Sequence, residues 1–460
     1  MSNFWDFSVW GTVNIAGALI VSMLVANMIK RSIPVLRDSL IPTSVLGGLL
    51  LLVISIIYET AFKVPFFDTA VFGGKGLATL EVITYHSLAL GFIASAFRPA
   101  KGKMSKERTT EIFNTGVTTV STYLIQAIVG LGITIIASFV LTDFFQAAGV
   151  LLPFGYGQGT GQALNYGTIY ETEFGFDGGK SFGLTVAAVG FLVASIGGVI
   201  HLNIVQKRFD IKGRHSDAGD VLTMSDIQGD NEIPMAGSLD KVSIQMAFIM
   251  GAYLLAYVAM YGLSALLPGF RAILYGFNFL FGVLMATIIS VVVGQLHKKD
   301  IVHRQYINTF LMTRISGFFF DLMIVAGIAA IRIQRLEEFV GVLVILCTVG
   351  AVVTYFYIRF ICRTLFPDYA EEQFLGMFGM LTGTASTGII LLREVDRNLQ
   401  SPVSDNLVYQ NLPAIVFGFP IMLLATLAPV KPYLTFAILI VFFIAMNIIL
   451  FRSKIFRKRK

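Results

Sequence analysis

Charge is scarce in this chain. Only 13% of its 460 residues are charged and 55% are hydrophobic, which leaves too little polar surface to coat a soluble globule of that size. Cysteine is scarcer still. Cys347 and Cys362 lie in or at the end of one apolar run, a placement that supports neither a disulfide framework nor a metal site and leaves packing as their role. The signatures of common enzymes are missing as well: there is no His-Glu-x-x-His helix, no Gly-x-Ser-x-Gly elbow and no Cys/His cluster. The chain therefore reads as a non-enzyme. Gly178-Gly179-Lys180-Ser181 looks like the end of a phosphate-binding loop, but Phe174 stands where its first glycine belongs, which excludes an ATPase. Met1 to Trp10 lacks a basic region and no small-residue cleavage site follows the first apolar run, so that run reads as a retained span and not as a signal peptide.

What fills the chain is apolar sequence in runs of bilayer length, roughly 20 residues each. Spans are expected near Val9 to Met28, Ile41 to Tyr58, Leu80 to Ala96, Phe113 to Leu141 and Phe182 to Val205 in the first half. The second half offers Val242 to Leu267, Ile273 to Gly294, Ile307 to Ile331, Phe339 to Ile361, Leu412 to Leu427 and Tyr433 to Phe451. Between the halves, 207–241 collects acidic residues with almost no apolar periodicity and reads as a hydrophilic linker. The formal net charge of +6 is no nucleic-acid footprint, because the basic residues sit in short clusters between apolar runs. Those clusters are Lys30, Arg31 and Arg37; Arg98, Lys101, Lys103, Lys106 and Arg108; Lys207 and Arg208; Lys298, Lys299 and Arg304; and the tail from Arg452 to Lys460. One orientation puts all of them in the cytoplasm: N-terminus outside, linker and C-terminus inside, in the inner membrane. The halves 1–206 and 242–429 are then five-helix repeats of opposite topology, with 430–460 adding one more helix and the tail.

Two stretches are too long and apolar for loops yet too rich in Gly, Thr and Ser for good spans: about 143–177 and about 371–401. Each has to leave on the side it entered, so both read as re-entrant hairpins, the first from outside and the second from inside. Gly157, Gln158, Gly159, Thr160 and Gly161 stand at the expected tip of the first. Glycines there allow backbone N–H groups to approach a ligand, and a helix starting at the tip aims its positive dipole end at an anion. Asn165 follows shortly after as an ion-coupling candidate. In the second hairpin Thr382, Gly383, Thr384, Ser386 and Thr387 add hydroxyls for Na⁺ or a carboxylate. Close helix packing is the competing reading of each stretch, and the symmetric placement of the two favours a shared site where two interrupted segments meet. Arg314 and Asp321 lie seven positions apart on one helix face, the arginine suited to an anionic substrate and the aspartate to Na⁺ or H⁺, with mutual pairing as the alternative. His86 is read as a hydrogen-bonded histidine between helices, with a proton relay as the alternative. The stripe Gly183, Ala187, Gly190, Ala194 and Gly198 reads as a close-packing face.

Three segments resemble the bacterial sodium/glutamate symporter family. Ile41-Pro42-Thr43-Ser44-Val45-Leu46-Gly47-Gly48-Leu49 looks like its Ile-Pro-x-x-Val-x-Gly-Gly-Leu, Gly157-Gln158-Gly159-Thr160-Gly161 is similar to its Gly-His-Gly-Thr-Gly, and Tyr369 through Gly388 sits where its second hairpin follows a Tyr-containing loop. The chain departs at Gln158, in the second hairpin, at Arg314 and Asp321, and in the helix after Pro432. The resemblance implies an all-α polytopic fold of two inverted repeats with hairpins, dimerisation through a scaffold domain, elevator-like movement, and sodium-coupled symport of an acidic amino acid with no cofactor beyond Na⁺. The expected function is symport of glutamate or a related small carboxylate; a symporter for a different substrate is one alternative, and a passive anion or ion channel is the alternative from another class.

Overall fold

In lipid a backbone can satisfy its own N–H and C=O groups only by coiling on itself or closing a barrel, and every long apolar run of this chain coils. The computed structural model describes residues 3–97, 105–142, 144–205, 232–235, 238–396 and 401–455. Most of the 207–241 linker lies outside the described residues, as do Arg98, Lys101, Lys103, Asp143, positions 397–400 and the tail from 456 onward. The long helices are α1 (Phe7–Ser32), α2 (Thr43–Phe62), α3 (Gly76–Ala96), α4 (Lys106–Ala137), α5 (Leu151–Phe174), α6 (Gly179–Val205), α7 (Lys241–Leu266), α8 (Asn278–Lys298), α9 (Thr309–Ala329) and α10 (Val340–Leu365). They are followed by α11 (Ala370–Thr382), α12 (Ala385–Arg393), α13 (Val403–Tyr409), α14 (Asn411–Leu427) and α15 (Pro432–Leu450). Ten helices among the described residues are long and apolar enough to cross a membrane, and α13 with most of α14 forms an eleventh, bent by 50°. This is the build of a multi-pass membrane protein.

Local signals set the helix ends. The Ser105 hydroxyl accepts from the Arg108 N–H to cap α4, and the Asp240 carboxylate accepts from the Val242 N–H at 2.8 Å to cap α7. Gly175, at φ 72°, closes α5 in the left-handed region that glycine enters without strain. Four hydroxyls of α4 are absorbed by its own backbone: Thr115, Thr118, Thr119 and Thr122 each donate to the carbonyl four residues back.

The chain forms two compact units, one of residues Met1–Glu81, Lys103–Arg214 and Ile324–Lys460, the other of Val82–Gly102 and His215–Met323. They are not the two halves of the sequence, since each half contributes to both. The division falls within α3 and within α9. In the second unit, buried Lys241 donates to Glu232 at 2.7 Å, and Glu232 also accepts from Asn308 at 2.6 Å, so the ammonium is compensated where α7 begins. His86 Nδ1 lies 2.6 Å from the Tyr253 hydroxyl, and Asn278 Nδ2 donates to the Tyr85 carbonyl at 3.2 Å. His86 is thus a hydrogen-bonded histidine between α3 and α7.

Candidate functional site

The first unit holds both glycine-rich segments, and each folds as a hairpin of two short helical arms. Gly159 breaks α5 with φ 72° and ψ −168°, a conformation that no side chain tolerates well. Phe154 and Tyr166 stack at 4.0 Å across the break, whereas 12 residues of straight helix would separate them by about 18 Å. Phe145 packs on Tyr170 at 5.3 Å and on Phe176 at 4.7 Å, so the segment ends beside the place where it began. The second hairpin turns at Gly383 and Thr384, between α11 and α12. Its arms touch through glycine: a Cβ on Gly388 would stand 2.3 Å from the Gly376 carbonyl oxygen, and one on Gly379 would stand 2.7 Å from the Gly388 Cα.

The two tips converge on α4 and α6. The Tyr123 hydroxyl donates to the Gly157 carbonyl at 3.0 Å, and Gln126 Nε2, one turn further along α4, donates to the Leu381 carbonyl at 3.0 Å and to Thr354 Oγ1 at 3.0 Å. At Gly190 of α6, a Cβ would meet the Thr382 carbonyl oxygen at 2.6 Å and the Tyr156 ring at 3.0 Å. Tyr156 is fixed in turn by donating to the Cys347 carbonyl at 2.7 Å. At each tip one helix ends and another begins. Carbonyl-rich and N–H-rich helix ends thus sit side by side, the arrangement that suits a cation next to an anion.

The expected site residues divide between the two units. Gly157, Gln158, Gly159, Thr160, Gly161, Asn165, Thr382, Gly383, Thr384, Ser386 and Thr387 all belong to the first. Gln158 is half-buried, and Thr160 is buried, packed where a Cβ on Gly327 would lie 2.8 Å from its hydroxyl. Asn165 donates to Gln162 Oε1 at 3.1 Å, leaving buried Gln162 Nε2 without an acceptor among the described residues. Thr382 donates to the Phe378 carbonyl at 2.7 Å, Thr384 Oγ1 lies 3.3 Å from Thr387 Oγ1, and Ser386 is exposed in the first turn of α12. Arg314 and Asp321 belong to the second unit, both exposed on α9, with the Arg314 guanidinium 5.1 Å from the Phe310 ring centroid.

Sequence reasoning missed Tyr123, Gln126 and Thr354, and it read Gly190 only as part of a packing stripe. The signal for Gln126 was present: an uncharged span of bilayer length seldom carries an amide at its middle without a partner elsewhere. It also missed a buried ionic cluster at the base of the second hairpin. His201 Nε2 lies 2.8 Å from Glu371 Oε2, Arg363 donates to Glu371 Oε1 at 3.2 Å, and Arg359 Nη1 lies 3.0 Å from both His201 Nδ1 and the Tyr355 hydroxyl. Both His201 and Glu371 are buried. Arg359 donates to Nδ1, which therefore acts as acceptor and assigns the imidazole proton to Nε2, facing the carboxylate. Among the described residues no three His, Cys, Asp or Glu side chains gather as a metal-ion ligand set. No protein-family model matches the chain, and no curated protein matches it either.

Proposed function

We propose that the protein is a secondary active transporter that moves a small carboxylate, glutamate or a close relative, together with Na⁺. The observation that carries this reading is the convergence of both hairpin tips at Gly190, held by Tyr123 and Gln126 of one helix. A carboxylate would use the N–H groups opening the second arms at Gly161 and Ser386 and the free amide donor of Gln162, with the Thr160 and Thr384 hydroxyls beside them. The cation would use carbonyl and amide oxygens, and its charge would offset that of the substrate, so that the loaded site can cross the membrane. Arg314 and Asp321 are kept as candidates for guiding the anion and the cation.

The long apolar helices support the membrane setting, and the basic clusters support a cytoplasmic C-terminus in a bacterial inner membrane. The inverted repeat rests on the opposite orientations that the basic clusters give the two halves. Elevator-like movement and a homodimer follow from the family resemblance and belong to the same proposal. The test is uptake of labelled glutamate into proteoliposomes under an inward Na⁺ gradient, with K⁺ replacing Na⁺ as control. Concentrative uptake that requires Na⁺ supports symport. Flux that runs down its own gradient whatever the cation establishes a channel instead.

A further inference from the structure

Beside the second hairpin three buried amides share one condition: every N–H is used and every carbonyl is not. Gln126 Nε2 donates to Thr354 Oγ1 and to the Leu381 carbonyl, both at 3.0 Å. Asn406 Nδ2 donates to Gln373 Oε1 at 3.3 Å and to the Tyr369 hydroxyl at 3.5 Å. Gln410 Nε2 donates to Met380 Sδ at 3.4 Å and to Asn411 Oδ1 at 3.1 Å. Gln126 Oε1, Asn406 Oδ1 and Gln410 Oε1 are shut away from solvent and accept nothing among the described residues. These side chains are 0%, 0% and 2% exposed. Buried polar atoms are overwhelmingly satisfied, so three oxygens without a donor along one hairpin arm make a set of acceptors open to a ligand.

The orientation of the Asn406 amide follows from the network. The Thr115 hydroxyl donates to the Glu111 carbonyl at 2.8 Å and so accepts from Gln373 Nε2 at 3.1 Å. Gln373 Oε1 then faces the Asn406 Nδ2 group, and Asn406 Oδ1 is left over. Asn406 and Gln410 are one helical turn apart, the Gln410 N–H donating to the Asn406 carbonyl at 3.0 Å, and hence share a helix face. They sit where α13 and α14 bend by 50°, a break next to Pro413, which has no N–H to continue the ladder. Irregular backbone in an apolar span is found where protein buries it or where it lines a binding cavity.

We infer that Asn406 Oδ1 and Gln410 Oε1 bind a monovalent cation, Na⁺, at the α13–α14 break, with Gln126 Oε1 as the next oxygen toward the hairpin tip. Carbonyl oxygens are hard ligands. Three neutral ones without a carboxylate suit an alkali cation better than Ca²⁺ or Mg²⁺, which are held by acidic side chains; Glu111 of the neighbouring α4 turn is paired with Arg108. A water molecule donating to two of these oxygens would find no unused amide N–H in the row for its own lone pairs. The inference deepens the transport reading by naming where its coupling ion sits, but the test needs neither substrate nor transport.

Equilibrium binding of ²²Na⁺ to the purified full-length protein in detergent decides it. Saturable binding is expected, with Asn406→Leu and Gln410→Leu each weakening it by about ten- to a hundredfold. Gln410→Glu places a carboxylate at the same point; it should tighten binding and make it fall as pH drops. That variant keeps the proposal exposed if the leucine variants fail to fold. No saturable ²²Na⁺ binding by the wild type, unchanged binding in well-folded leucine variants, or weaker binding in Gln410→Glu would each overturn the site. Failure of carboxylate uptake, by contrast, would overturn only the transport reading.

Discussion

Gly190→Ala adds one methyl group at the point where α6 meets both hairpins, and its consequence can be worked from the contacts. The new carbon would stand 2.6 Å from the Thr382 carbonyl oxygen and 3.0 Å from the Tyr156 ring, whereas ordinary contact begins at 3.4 Å. Relief requires the tip of the second hairpin to retreat by roughly 0.8 Å, the shortfall at its backbone oxygen, and backbone cannot swing aside as a flexible side chain does. Overpacking of this kind costs about 1 to 3 kcal/mol, set against a gain of about 1 kcal/mol for replacing glycine within a helix. Gly418→Ala on α14 is the control, since its added carbon meets nothing nearer than Val120 at 3.7 Å. The control should match or exceed wild-type stability, while Gly190→Ala melts a few degrees lower by scanning fluorimetry and transports more slowly. Equal melting temperatures and equal uptake in the two variants would refute the closure of the tips on α6.

Tyr123→Phe removes the donor to the Gly157 carbonyl and should cost about 1 to 3 kcal/mol in stability, because a buried acceptor is left without a partner; thermal unfolding measures it. Thr160→Ala should lower kcat/KM for uptake about fivefold, the value of a hydrogen bond of about 1 kcal/mol, without lowering the yield of folded protein. Thr384 Oγ1 accepts from the Thr387 N–H at 3.4 Å and so caps α12; Thr384→Ala should lose that cap at about 1 kcal/mol and Thr384→Ser should keep it, and equal melting of the two would remove Thr384 from the capping role. Glu371→Ala should destabilise by about 1 to 3 kcal/mol by leaving the buried His201 Nε2–H without its acceptor. A double-mutant cycle with His201→Ala should then be strongly non-additive, and simple additivity would dissolve the cluster.

The spans were legible because bilayer-length apolar runs have only one economical backbone solution; most expected runs return as a helix within a few residues, though the one from Phe113 begins earlier, at Lys106, and the one from Ile273 is broken at Phe277. The hairpin tips were legible for a related reason. Gly159 and Gly383 stand where the backbone leaves helical geometry, and only a cluster of small residues makes such breaks tolerable. What escaped was everything that depends on which helices become neighbours. Gln126 reaches Leu381 across 255 positions and His201 reaches Glu371 across 170, and no local pattern records such meetings. His86 and His201 look alike as lone histidines in apolar runs, yet one bonds a tyrosine hydroxyl and the other joins an ionic cluster. Arg314 and Asp321 share a helix face with suitable charges but belong to a different unit from the hairpins; helical periodicity gives a direction and not a destination.

Tyr123 and Gln126 stand one turn apart on a stiff rod, and each grips a carbonyl of a different tip. That removes a degree of freedom. Drawing the tips apart would strand two buried acceptors at once, at about 1 to 3 kcal/mol each, whereas displacing α4 and both hairpins as one rigid body strands neither. Any motion that keeps both grips therefore has to carry α4 and the two tips together, and α10 with them, since Thr354 and the Cys347 carbonyl tie that helix to Gln126 and Tyr156.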